Sequence, residues 1–435
     1  MSVRSLNVYI NNELIGELRD ENGIWAFGYT LPWNGNTNRF ALSPHLPVST
    51  SEIIDKSSIR PVQWYFDNLL PEEGQRVLAA RDANVDINDA LGLLGYYGME
   101  SAGSITLLPP GIEKNTSGSL RQLSFQDLND RIKNLPNIAL NHGAANRMSL
   151  AGAQHKLAVV FQDNDIFEPV GAIPSTHILK PNHPSNDYPH SVINEWFTMK
   201  LAKKVGLLVP EVHRRYVPSP VYIINRFDRR RANNGWQRIH AIDACQLLGL
   251  DRSFKYSQGS VNTLASIANY CRSPAVVRAR LFQWLVFNVL IGNTDAHLKN
   301  LSFIVSHEGI QLSQHYDLLS TATYETRAFD KDDWPDKTKL AWPVMDAIYM
   351  SDIDKDLILR AGVSLGLSER TAAQLLGNMT KNILPQAESL YDEFSAMNTD
   401  LIKTNPELAP TLAGESRCLR AIIHTVIKDM AAKFI

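Results

Sequence analysis

The sequence predicts an α+β chain, β-rich at its start and mostly helical in its second half, and three observations carry the expectation. Residues 6–18 (LNVYINNELIGEL) alternate apolar and polar side chains about Asn11-Asn12. Short β-branched runs recur at 157–161, 177–181 and 221–227, and from Asp243 onward the sequence reads as helical. The 435 residues, 44 % of them hydrophobic, can bury a large core in two or three folding units, which excludes a disordered chain, a coiled coil and a collagen-like rod.

Lys and Arg number 43 against 45 Asp and Glu, a formal charge of −2. Counterion release needs a local excess of Lys and Arg, so contact with nucleic acid would have to come from a patch or through a partner. Cys245, Cys271 and Cys418 stand far apart with no C-x-x-C pair. Neither a disulfide framework nor a cysteine zinc site is expected, and a reducing cytoplasm fits. No basic-then-apolar leader opens the chain. The longest apolar stretch, 281–292 (LFQWLVFNVLIG), falls short of the roughly 20 residues that span a bilayer, so it reads as a buried helix and no membrane association is expected.

In chain order, 6–18 reads as a hairpin turning at Asn11-Asn12. Residues 62–82 mix aromatic anchors with helical spacing, 87–98 continue as a short apolar helix, and a first unit ends near Pro109-Pro110. The polar stretch 111–119 (GIEKNTSGS) has the composition of a linker. Ser124 with Asp127 caps a helix reaching about Asn134, stopped by Pro136. Next come a small-residue loop leading into a strand (149–161, SLAGAQHKLAVVF), a strand end (177–181, HILKP) and a helix over 191–205 with Ile193, Trp196, Phe197, Leu201 and Val205 at helical spacing. A strand over 221–227 is followed by an Arg-rich turn, then by helices interrupted by β segments at 301–306 and 309–312. The glycine-bearing stretch 92–103 lacks the G-x-G-x-x-G spacing, so no dinucleotide site is expected.

The segment 293–300 (NTDAHLKN) follows the buried helix directly and precedes an apolar strand. Asp295, His297 and Asn300 form D-x-H-x-x-N, and Asp317 follows the second strand of the β insertion. Phosphoryl transfer needs this set: one carboxylate to accept the hydroxyl proton of the acceptor, and an amide oxygen with a second carboxylate to hold Mg²⁺ on nucleotide phosphates. The Asp295-to-Asn300 spacing equals that in the protein-kinase catalytic loop. The competing reading is a polar loop capped by Asp and Asn. Lys180 ends a strand and Glu195 lies on the following helix, either as a phosphate-binding lysine with its helix carboxylate or as two solvated charges. His297 either orients Asp295 or contacts phosphate, or is a passive polar residue. The loop 149–156 is a phosphate-contacting loop or a structural turn, and the cluster 226–231 (RFDRRR) is a solvated turn or a contact for phosphate on DNA or a partner.

Taken in order, WYFDNLLPEEG (64–74), SLAGAQHK (149–156), HILKPN, NEWFTMKLAKKVGL, INRFDR, DACQLLGL (243–250), IGNTDAHLKN and YDLLS resemble the HipA family, the protein-kinase toxins of bacterial toxin–antitoxin modules. The resemblance implies a two-lobed, protein-kinase-like fold. Its expected parts are an N-terminal β-rich subdomain at 1–110, a region at 111–240 with the phosphate loop and ATP lysine, and a mostly helical lobe at 241–435. It implies ATP and Mg²⁺ as cofactors, Asp295 as the catalytic aspartate, Asn300 and Asp317 as Mg²⁺ ligands, and His297 and Lys299 beside the transferred phosphate. Lys180 becomes the ATP-phosphate lysine, with Ala151, Gly152, Ala153, Gln154, His155 and Lys156 forming the phosphate loop. Asn225, Arg226 and Phe227 fall where hinge backbone contacts adenine. Ser149 matches the family's autophosphorylated serine, and a phosphate there would disfavour keeping the loop beside ATP.

The function implied is a cytoplasmic serine/threonine protein kinase toxin that arrests growth by phosphorylating a translation-related protein, with glutamyl-tRNA synthetase as family precedent. Its implied partner is a HipB-like helix-turn-helix antitoxin dimer that brings it to operator DNA, where Arg229, Arg230 and Arg231 would add phosphate contacts. The sequence departs from ordinary protein kinases in lacking a Gly-rich triple and H-R-D, and in carrying Tyr-Asp-Leu where those have Asp-Phe-Gly. Two rivals remain. D-x-H-x-x-N also suits a small-molecule or lipid kinase of phosphoinositide-kinase type, and a non-catalytic, antitoxin-bound co-repressor would carry the same residues as relics.

Overall fold

The computed structural model describes residues 4–114, 116–144, 146, 148, 150–232 and 235–435. The chain divides into two compact units, one comprising 1–181, 223–254 and 302–313, the other 182–222, 255–301 and 314–435.

The first unit opens on the expected hairpin. Strands β1 (Arg4–Ile10) and β2 (Glu13–Glu21) pair antiparallel, with Ile10 opposite Glu13 and Asn11 in the left-handed region that a two-residue turn requires. A third strand, β3 (Ile24–Tyr29), follows a second such turn at Asn22-Gly23, both residues at positive φ. With β4 (Ile53–Ile54) and β5 (Ile105–Leu108) the sheet order is β4-β3-β2-β1-β5. Helices Pro61–Asp67, Glu73–Ala83 and Ala90–Tyr97 follow in sequence, and Phe66 stands 5.6 Å from Phe27. A Cβ on Gly16 would lie 2.5 Å from the Phe27 ring, so only glycine lets that ring lie across β2.

A second sheet contains β6 (Gly118–Gln122), β7 (Leu157–Gln162), β8 (Asp165–Gly171), β9 (His177–Pro181) and, following β10 (Val212–Tyr216) in the chain, β11 (Pro220–Asn225), in the order β11-β9-β7-β8-β6. β6 overlaps the end of the expected linker. Every one of its side chains is exposed and it pairs through its main chain to β8, so its own residues carry no apolar signal. The helix Phe125–Lys133 begins at the expected cap, with Ser124 Oγ accepting from Asp127 N at 3.0 Å.

The Arg-rich segment departs from expectation. Residues 229–232 are not a turn but β12 (Arg229–Ala232), paired with β13 (Gly235–Arg238). Arg230 and Arg231 are exposed, whereas the Arg229 side chain is fully buried and cannot reach DNA. Arg229 Nη2 donates to Glu100 Oε1 at 3.0 Å, and Arg226 Nη2 donates to Asp228 Oδ2 at 2.7 Å. Ser175 Oγ and N both donate to Glu100 Oε1, at 2.6 and 3.0 Å, and Gly103 N donates to Asp228 Oδ2 at 2.6 Å. Isolated buried charges are prohibitive, so three arginines and two carboxylates persist here because each charge meets its opposite. The network fastens 100–103, just before β5, onto the strands around 175 and 226–238. His240, stacked on Phe40 and 3.0 Å from the Leu42 carbonyl, makes a neighbouring polar join, and burial lowers the pKa of its imidazole to about 4.

The second unit is mostly helical. Helix Ser191–Lys204 spans the residues expected; helix Pro274–Leu290 packs against helices Val261–Tyr270 and Glu369–Thr404 around Trp284, Phe282 and Phe287. The expectation of helices with a single β insertion fails at one place: Lys339–Val344 and Ala347–Tyr349 pair as a second hairpin, a stretch too short to declare its period in the sequence. Among the described residues no helix is long and apolar enough to cross a membrane.

Glu100 is the node to test. Burial pushes its carboxyl up, but Arg238, Arg229 and Arg226 outweigh burial and hold it at about 2 against an ordinary 4.5. The unfolded chain therefore takes the proton first, so the stability this group contributes is complete above pH 4.5 and is lost as the pH falls towards 2. Glu100→Gln leaves the arginines under-compensated and is expected to cost about 3–5 kcal/mol in urea unfolding at pH 7. It should also flatten the loss of stability between pH 4.5 and 2 relative to wild type.

Candidate active site

The second unit brings Asp295, His297, Lys299, Asn300 and Asp317 to one place. The apolar helix Pro274–Leu290 ends in a buried polar chain: Asn288 Nδ2 donates to Trp284 O at 2.8 Å, Asn293 Nδ2 to Asn288 Oδ1 at 2.8 Å, and Asp295 N to Asn293 Oδ1 at 3.0 Å. Gly292, at φ 63°, makes the turn; its carbonyl accepts from Ala322 N and Thr321 Oγ1, and Thr321 Oγ1 accepts from Thr294 N at 2.6 Å. Residues Leu298–Asn300 form a single 3₁₀ turn. Asn300 Nδ2 donates to the Asp295 carbonyl at 2.9 Å, which orients the amide with its oxygen turned from that carbonyl.

Asp317 sits at φ 59°, a left-handed conformation that costs a non-glycine residue about 1–2 kcal/mol. Its neighbours hold it there. Tyr316 Oη donates to Lys299 O at 2.9 Å, the Thr198 hydroxyl donates to Leu318 O, and Asn194 brackets Ser320 by accepting from its N–H at 2.8 Å and donating to its carbonyl at 2.9 Å. Asn194 and Thr198 lie on Ser191–Lys204, the helix that also carries Glu195, so one helix face pins the Asp317 segment.

The electrostatics agree with this crowding. Burial pushes the Asp295 carboxyl above its ordinary value and Asp317 adds to the rise, while His297, the Tyr256 hydroxyl and Lys255 oppose it. Burial, then the charges of Glu195 and Asp317, push the Tyr222 hydroxyl well up. Asp317 is therefore within electrostatic reach of both Asp295 and Tyr222, and Tyr222 also faces Glu195. Among the described residues no group of three His, Cys, Asp or Glu forms a metal cage. Asn300 and Asp317 offer hard oxygen donors of the kind that hold Mg²⁺ when phosphates complete its shell.

The other expected residues belong to the first unit. Lys180 lies half-buried on β9. The loop 150–156 starts beside Met148, which bridges to Glu100; Gly152 bridges to Pro71, and the Lys156 ammonium donates to Ala151 O. Gly152 has φ 106°, and a Cβ there would lie 2.7 Å from Lys156 Nζ. His155 is buried, with Ala153 and Gln154 on the same loop. Asn225, Arg226 and Phe227 follow the end of β11, where Arg226 N donates to Thr176 O at 2.9 Å and the Arg226 guanidinium is spent on the buried network. Asn225 Oδ1 is buried with no hydrogen-bond partner among the described residues. Ser149, the implied autophosphorylation residue, lies outside the described residues.

Sequence reasoning missed Tyr256, whose hydroxyl donates to Asp295 Oδ1, and Trp342, whose indole N–H donates to Ala296 O at 2.9 Å. Thirty-nine and forty-six residues separate these pairs, and nothing periodic marks either aromatic.

Comparisons with known proteins bear on the whole chain. The family model described as the HipA N-terminal domain matches residues 6–108, and that described as the HipA-like C-terminal domain matches 148–387. The Sinorhizobium fredii protein Y4mE is 31 % identical over 446 residues, covering 97 % of this chain and 100 % of that one. The chain belongs to the HipA family. The serine/threonine-protein kinase toxin HipA of Shewanella oneidensis is 31 % identical over 342 residues, 74 % of this chain and 76 % of that protein. The fold agrees: Shewanella oneidensis HipA, solved in a complex with HipB and its operator DNA, superposes with a TM-score of 0.77 at 25 % identity, covering 99 % of each chain. In this HipA-family chain the buried Glu100 lies in the N-terminal domain and Arg226 and Arg229 in the C-terminal one, so the ion network links the two matched regions.

Thr198→Val tests the clamp on Asp317. The change leaves the Leu318 carbonyl without its donor, and a buried polar group so orphaned costs about 1–3 kcal/mol. Chemical denaturation should show that loss, with faster amide exchange confined to residues around 317–320.

Proposed function

We propose that the protein is an ATP-dependent serine/threonine protein kinase acting as the toxin of a toxin–antitoxin pair. The observation that carries the reading is the pairing of Asp295 and Asn300 on one turn with Asp317 in electrostatic reach of Asp295, in a family whose Shewanella oneidensis relative is named a serine/threonine-protein kinase toxin. In this reading Asp295 accepts the proton of the acceptor hydroxyl. Asn300 and Asp317 hold Mg²⁺, which when bound offsets the charge of the nucleotide phosphates. His297 and Lys299 lie beside the transferred phosphate, and Lys180 and the amides of 151–156 receive the other phosphates. The orphaned, buried Asn225 Oδ1 supports a nucleotide at the end of β11, since an acceptor there suits the adenine amino group.

Ser149 is the proposed self-phosphorylation site. A translation component, with glutamyl-tRNA synthetase as family precedent, is the proposed acceptor, and cytoplasmic growth arrest the outcome. The proposed partner is a HipB-like antitoxin dimer that silences the kinase and brings it to operator DNA. The Shewanella oneidensis complex supports this partner, and burial leaves Arg230 and Arg231, not Arg229, as the exposed basic residues of β12.

Two experiments check the reading. Wild-type protein with γ-labelled Mg-ATP should incorporate phosphate, found by mass spectrometry at Ser149, while Asp295→Asn and Asp317→Asn fall roughly 10²- to 10⁴-fold. Equal labelling of all three would sink the kinase reading, and transfer to lipid or small molecule alone would favour the phosphoinositide-kinase-like rival. Arg230→Glu with Arg231→Glu should weaken operator binding by the antitoxin complex and lessen its salt slope by about 1 for each phosphate no longer neutralised.

A further inference from the structure

An aspartate carboxylate turns about a broad, roughly two-fold torsion, so a base that must present one oxygen to an acceptor needs its other oxygen held. In this chain that hold comes from outside the catalytic loop. The Tyr256 hydroxyl donates to Asp295 Oδ1, and its ring meets the His297 imidazole edge-on, with centroids 5.1 Å apart and planes at 80°. The Lys255 ammonium lies 5.3 Å from the centre of the same ring. The main chain joins the two segments as well, for Leu298 N donates to Lys255 O at 3.1 Å.

Both ends of the Tyr256–Asp295 bond rest on one buried indole. Trp342 Nε1 donates to the carbonyl of Ala296, the residue after Asp295. Its ring also lies against Gly259, where a Cβ would sit 2.6 Å from Cδ1 and Cγ and 3.0 Å from Tyr256 O. Gly259 N in turn donates to Tyr256 O at 2.9 Å, closing the turn that carries the tyrosine. The hairpin bearing Trp342 thus sets the height of the tyrosine and of the aspartate together.

Resting on the phosphotransfer reading above, we propose that Tyr256 is a positioning residue: it holds Oδ1 of Asp295 so that Oδ2 faces the acceptor hydroxyl. As the acceptor oxygen bonds to the γ-phosphorus and the bond to the ADP oxygen breaks, the hydroxyl proton passes to Oδ2. Tyr256 keeps its own proton throughout.

The experiment compares wild type, Tyr256→Phe, Gly259→Ala and Asp295→Asn in steady-state phosphotransfer, with ATP binding by equilibrium dialysis and thermal melting measured on each. Tyr256→Phe should lower kcat roughly 10- to 100-fold, the cost of a misplaced group. Its KM for ATP and its ATP dissociation constant should stay within about twofold of wild type, since the hydroxyl acts on Asp295 and not on bound nucleotide. Gly259→Ala, which forces the indole away from the tyrosine turn and so disturbs both supports of the Tyr256–Asp295 bond, should lower kcat in the same sense with the Asp295 side chain itself intact. Wild-type kcat in Tyr256→Phe, alongside an inactive Asp295→Asn, would overturn the positioning role. So would a parallel fall in ATP binding and melting temperature, which would mark the hydroxyl as structural. No transfer by wild type would remove the kinase reading and this inference with it.

Discussion

The Asp295 carboxyl, whose charged form is disfavoured first by desolvation and to a lesser degree by Asp317, is the constraint around which its part of the second unit is arranged. Like charges in a desolvated setting raise each other's pKa and favour swinging apart, yet the chain holds both in place. Lys255, His297 and the Tyr256 hydroxyl stabilise the charged form of Asp295, and Thr198 and Asn194 grip the main chain at Leu318 and Ser320, just after an Asp317 kept at positive φ. Strain of this kind persists only where the surroundings over-determine it, and it concentrates at sites where a ligand later uses it. In the proposed reading, a divalent cation arriving with nucleotide phosphates would offset the charge of Asp317.

The first unit solves the opposite problem. Around Glu100 the charges are buried and nearly balanced, and they bind fixed partners of their own chain. Arg226 and Arg229, which the sequence offers as exposed basic residues, are consumed in joining 100–103 to the strands that follow. The loop 150–156 begins beside that junction, because Met148 bridges to Glu100 and Gly152 to Pro71. The loop is thus anchored at two points on the N-terminal region within the same unit.

What is legible in the sequence is local. The β1–β2 hairpin, the capped helix at Phe125–Lys133, the helix Ser191–Lys204 and the strands Ser302–Ser306 and Gly309–Leu312 each announce themselves through periodicity or a cap within a dozen residues. D-x-H-x-x-N is legible for the same reason, since its three members share one loop. β6 is not, because an exposed edge strand forms by main-chain pairing with side chains that fit a linker equally well. β12 reads as a turn because arginines in a strand look solvated until their partners, far away in sequence, are known. β3 carries a signal of its own in the Asn22-Gly23 turn, which the alternation of the first hairpin overshadows. Tyr256 and Trp342 carry none: their importance lies in which distant atom their single polar group meets.

The most direct test of the central claim is electron paramagnetic resonance of Mn²⁺, standing in for Mg²⁺, titrated into wild type and Asp317→Asn with and without ATP. The account predicts that wild type alone scarcely depletes the free-ion signal, that ATP and protein together deplete it well beyond ATP by itself, and that Asp317→Asn abolishes the excess. Tight Mn²⁺ binding without nucleotide, or an excess that survives in Asp317→Asn, would contradict it.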